Sequence, residues 1–88
     1  MEFVRGLVVR SLAGRDGSGF LVILSTDGRT AAVCDGKRRK LEHPKKKNLK
    51  HLSATRTILP ESRMQTNHEI HLALAPFRDA GPLSRRGG

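Results

Sequence analysis

Phe3-Val4-Arg5-Gly6-Leu7-Val8-Val9-Arg10-Ser11-Leu12 poses a problem of parity. Successive side chains of a β-strand point to opposite faces. Turning Arg5 to solvent takes Leu7 and Val9 with it, and turning Arg10 to solvent takes Val8. No strictly alternating strand with one wet face satisfies both. A bulge near Gly6, or a second element covering the outer face, would resolve it.

The residues around this stretch read as strands and tight turns. It runs into Ala13-Gly14-Arg15-Asp16-Gly17-Ser18-Gly19, where three Gly and one Asp supply turn conformations. Phe20–Leu24 is a continuous apolar run of the kind that suits a strand buried on both faces. Asp27-Gly28 stands in a hairpin position. Thr30–Cys34 is a further strand, and Asp35-Gly36 a further turn. Short strands closed by turn chemistry predict a mostly β fold, a small barrel.

Residues 37–50 are a different material. Eight of these fourteen residues are cationic, and only Glu42 is acidic. Pro44 biases His43 toward extended backbone and denies the stretch a continuous helix. The reading is an extended basic loop, with a short strand at Leu49–Leu52 returning to the barrel. Ser53–Ser62 is read as a connector. Thr66 and Glu69 fit a capping box, opening a short helix from about Asn67 to Ala75. Its apolar stripe is Ile70, Leu74 and Phe77, and Pro76 ends it. The expected organisation is a barrel over residues 1–53, a connector and helix packing on it over 54–78, and a flexible tail over 79–88.

Charge carries the functional argument. Seventeen Lys and Arg oppose eight Asp and Glu in 88 residues, a net charge of +9. Such a field attracts polyanions. The excess is local: residues 1–52 carry twelve basic and five acidic side chains, and outside 37–50 that half is balanced. Nucleic acid is the expected partner; a solvated loop or a nuclear-import signal is the plainer reading. With no Trp, no Tyr and three Phe, a base-stacking platform is not expected. Phosphate, ribose and shape contacts to folded RNA remain. The expected contacts are Lys37, Arg38, Arg39, Lys40, Lys45, Lys46, Lys47 and Lys50. Arg15 and His51 support them, or else pair with Asp16 or Asp35 and cap a strand end, respectively.

Other classes find little support. One cysteine, Cys34, allows no disulfide framework or zinc site and fits a reducing cytoplasm. No apolar run is long enough to span a bilayer, and Pro44 and Gly36 deny the basic stretch a membrane-binding helix. His68 and His71 stand three apart with no further ligand evident. No phosphate loop or triad order appears, so neither catalysis, cofactor, metal nor small-molecule substrate is expected.

Val4–Gly17 followed by Phe20-Leu21-Val22-Ile23 resembles a KOW motif: a Gly-bearing strand, a loop with a near-fixed Gly, and an apolar strand. Val33–Arg39 and Lys45–Leu52 continue the likeness toward the eukaryotic and archaeal large-subunit ribosomal proteins of the "fourteen" family and their short bacterial relatives. The resemblance covers about residues 3–52 and implies a five-stranded SH3-like barrel that binds ribosomal RNA, as a monomer away from the ribosome. After Leu52 the chain departs from those ribosomal proteins, lacking their long helical extensions. KOW barrels also serve as protein-docking modules, so an acidic partner in transcription or translation is the alternative.

Overall fold

A computed structural model describes residues 2–12 and 19–83, the side chains of 79–83 excepted. Five strands form one antiparallel sheet: β1 (Leu7–Ser11), β2 (Phe20–Thr26), β3 (Thr30–Cys34), β4 (Lys45–Asn48) and β5 (Leu52–Ile58), ordered β4-β3-β2-β1-β5. A 3-10 turn, Leu49–His51, joins β4 to β5, and a second, Glu61–Arg63, precedes the helix α1 (Asn67–Leu83).

The sheet cannot be flat. β4 and β5 are its opposite edges, four strand spacings or about 19 Å apart in a flat sheet. The four residue steps from Asn48 to Leu52 reach at most about 14 Å. The sheet therefore curls until its edges approach, giving a small barrel-like fold. The linking turn is bonded to both rims: Leu49 N–H donates to the Arg29 carbonyl and Leu12 N–H to the His51 carbonyl, each at 2.9 Å.

The parity of the first strand is resolved by both devices. Leu7 and Val9 face the inside of the curl, with Leu21, Ile23, Ala31, Val33 and Leu52. Val8 faces outward with Val22 and Cys34, beneath Ile70, Ala73 and Leu74 of α1. Ile70 and Leu74 are fully buried, which contributes about 1.5–3 kcal/mol apiece. Gly6, at φ 93°, turns the chain into β1 and leaves Arg5 in solvent.

Two irregularities bend the sheet. The β1–β5 register shifts between Leu7 and Val9, and there the Thr55 hydroxyl donates to the Val8 carbonyl at 2.7 Å. The β2–β3 register shifts between Ile23 and Ser25, and the carbonyl of the intervening Leu24 accepts from Arg5 Nη1 at 2.8 Å. Both side chains occupy places where ladder bonds are interrupted.

Several sequence expectations are revised. The barrel strands continue past residue 53 to Ile58, so most of the expected connector is β5. Its Thr-rich sequence, Leu52-Ser-Ala-Thr-Arg-Thr-Ile58, alternates only weakly, which hid it. Leu49–Leu52 is mostly the 3-10 turn, and part of the extended loop is the edge strand β4. Helix α1 runs through Pro76 to Leu83. Proline removes the bond to the carbonyl four residues back, here that of Leu72. Leu72 and Pro76 are both exposed, so water can take that carbonyl. The helical backbone over 79–83 shortens the expected tail. Half of the capping box forms: Glu69 N–H donates to Thr66 Oγ1 at 3.1 Å, while the Glu69 carboxylate pairs with Arg63.

Candidate nucleic-acid interface

The basic segment is held in shape by its neighbours. Asp35 Oδ1 accepts the backbone N–H groups of Lys37, Arg38 and Arg39, each at 2.9 Å. Three donors on one oxygen fix a tight turn and aim the Lys37 and Arg38 side chains into solvent. Gly36, at φ 81°, sets this turn against the first turn of α1. The next residues are clipped to the same helix. Asn67 Oδ1 accepts from Leu41 N–H, and Asn67 Nδ2 donates to Glu42, both at 2.8 Å. That bond, rather than any cation, is the main reason the Glu42 carboxyl lies below its usual range.

Strand β4 then divides its lysines between two faces. Lys45 pairs with Val33 and Lys47 with Ala31, both buried inside the curl, whereas Lys46 pairs with Ala32 on the outer face. Lys45 and Lys47 are half-buried and Lys46 is exposed. Lys47 reaches across the closing edge, its ammonium 2.9 Å from the hydroxyl of buried Ser11.

The expected contacts therefore separate into groups. Lys37, Arg38 and Lys40 are exposed on the Asp35 turn beside α1, with Arg39 half-buried. Lys50 and His51 are exposed at the closing edge, with Lys46 on the strand between. Lys45 and Lys47 turn partly inward. Arg15 lies outside the described residues, as do Gly14 and Gly17. Sequence reasoning missed Arg29. It is exposed at the tip of the β2–β3 hairpin, and its carbonyl is bonded to the closing turn. Its position just after Asp27-Gly28 was the available signal, since hairpin tips are exposed.

Several acidic side chains are already engaged, Asp27 through one carboxylate oxygen. Asp27 Oδ1 accepts the N–H groups of Arg29 and Thr30 at 2.8 Å, and these bonds hold its carboxyl below the usual range. Glu61 pairs with Arg5 and Glu69 with Arg63. Lys37, Arg38, Lys40, Lys46, Lys50 and Arg29 make no salt bridge among the described residues.

The aromatic rings are not arranged as a platform. Phe20 and Phe77 pack together, centroids 5.6 Å apart, and Phe3 packs against the inner core. No group of three metal-ligating side chains gathers among the described residues. Likewise, no helix there is long and apolar enough to cross a membrane. The chain matches no protein-family model and no curated protein.

Proposed function

We propose that this protein binds structured RNA, ribosomal RNA being the expected class, and that it does so by charge and shape without catalysis. In this reading the chain is a KOW-type barrel that works in the cytoplasm on or beside the large ribosomal subunit. One observation carries it. Six exposed cations, Lys37, Arg38, Lys40, Lys46, Lys50 and Arg29, stand on ordered backbone without a salt bridge among the described residues. A backbone fixed by Asp35 and Asn67 loses little entropy when a phosphate chain docks. Neutralising several phosphates releases counterions, which makes affinity fall steeply with salt.

The test is binding of the purified protein to a folded ribosomal RNA fragment across a salt series. The triple variant Lys37→Glu, Arg38→Glu, Lys40→Glu should bind far more weakly. Its dependence on salt should shrink by roughly one unit of slope per lost phosphate contact. Unchanged affinity in a natively folded triple variant would falsify the assignment.

One observation favours the alternative of protein docking. β5 is an open sheet edge, and Ile58 on it is 53% exposed; such edges accept an added strand. A partner retained in a pull-down after RNase digestion would support that reading.

A further inference from the structure

The outer face of the sheet is covered by α1 over Val8, Val22 and Cys34, but not over Ala32, which lies on the same face two residues before Cys34. Beyond the helix a cavity of about 460 Å³ opens over Ala32, walled by Ser25, Thr26, Asp27, Thr30, Pro44 and Lys46. No described side chain of α1 lines it.

Its polar groups are not equally available. Thr26 Oγ1 donates to the Thr30 carbonyl at 2.8 Å and accepts from Gly28 N–H at 3.1 Å. Asp27 Oδ1 is filled by the backbone of Arg29 and Thr30. Among the described residues, Asp27 Oδ2 has only a contact of 3.3 Å with the Thr30 hydroxyl. The Ser25 hydroxyl and the Lys46 ammonium have no hydrogen-bond partner among the described residues. Lys46 is near enough to help hold the Asp27 carboxyl low, although the two form no salt bridge. The cavity thus offers a carboxylate acceptor, a hydroxyl and an ammonium beside a proline ring.

That set selects among ligands. A bare anion meets Asp27, and a bare cation meets Lys46 with a single carboxylate to hold it. A ligand with a hydroxyl donor next to a phosphate satisfies both ends. We propose that this cavity receives one ribose-phosphate unit of a bound RNA strand. The 2′-hydroxyl donates to Asp27 Oδ2, the adjacent phosphate meets Lys46, and the Pro44 ring packs on the sugar. This rests on the RNA-binding reading and adds to it a source of preference for ribose, since the 2′-hydroxyl is what distinguishes the sugars.

The test compares one stem–loop in all-ribo and fully 2′-O-methylated forms, which share A-type geometry but differ in that donor. The wild-type protein should prefer the ribo form about tenfold, the size of one hydrogen bond to a charged group. Ala32→Leu, which fills the cavity, and Asp27→Asn, which keeps an acceptor for the turn but replaces the free oxygen with a donor, should bring that ratio to about one. Circular dichroism checks folding, and either variant suffices if the other is unstable. A ratio that survives in a folded variant overturns the cavity assignment and leaves RNA binding intact, as does a wild-type protein that binds both forms equally. A wild-type protein that binds neither form at low salt overturns both.

Discussion

Gly36 lies so close to the Asn67 carbonyl that a Cβ there would overlap it, and it would stand 2.9 Å from His71 N. The turn that aims Lys37 and Arg38 is thus seated directly on the helix backbone. Gly28 has a similar φ of 92° but nothing within 4 Å of its would-be Cβ. The two glycines separate backbone strain from packing. Gly28→Ala should cost about 1–2 kcal/mol, the penalty of a left-handed Ala. Gly36→Ala should cost more, because helix or turn must also shift. Urea unfolding of both variants measures the difference; equal losses would mean that the turn is not seated as described.

Lys47 is predicted to act chiefly on stability and Lys37 on binding. The Lys47 ammonium donates to Ser11 across the closing edge, and charged hydrogen bonds contribute about 1.5–3 kcal/mol. Lys47→Ala should lower unfolding free energy by about 1–2 kcal/mol. Lys37→Ala, on an exposed turn, should stay within about 0.5 kcal/mol of wild type yet weaken RNA binding more. Paired denaturation and binding measurements decide this, and the reverse ranking would refute it.

Acid should destabilise the fold. Asp27, Glu42 and Glu61 all have carboxyl pKa values below the ordinary range, held by backbone N–H groups, by Asn67 and by Arg5 respectively. The unfolded chain therefore takes up protons on these groups before the folded chain does. Their stabilisation is complete above the ordinary carboxylate range near pH 4 and is lost as pH falls through the lowered folded values. The melting temperature should drop between neutral pH and about pH 3, and Glu61→Gln should flatten that drop. A profile unaffected by Glu61→Gln would show that the Arg5 pair contributes nothing in solution.

The Cys34 thiol should be inert while the protein is folded. Cys34 is fully buried on the sheet face beneath α1. Burial first, and Asp35 second, push its pKa up to about 11. The thiolate is the reactive form, so alkylation at neutral pH should proceed only through unfolding. Mass spectrometry with and without denaturant tests this. Rapid labelling of the native protein would mean that α1 lifts from the sheet readily.

What was legible in the sequence was local. Gly and Asp mark turns by their own backbone and side-chain chemistry, so the start of β2 at Phe20 and the limits of Thr30–Cys34 could be read directly, while β2 runs two residues past the expected Leu24 to Thr26. The conflict between Arg5, Arg10 and three apolar neighbours called for a bulge or a covered outer face, and in the structure Ile70 and Leu74 supply the cover. The cationic run of 37–50 needed only counting. What the tertiary structure decided was which way those cations point. Lys45, Lys46 and Lys47 are identical in sequence terms. Pairing with Val33, Ala32 and Ala31 sends alternate ones to opposite faces, and only the curl of the sheet brings Lys47 to Ser11. β5 was equally hidden, because its strand character comes from pairing with β1 rather than from its own alternation. Propensity and charge act over a few residues, whereas register and closure depend on partners distant in the chain.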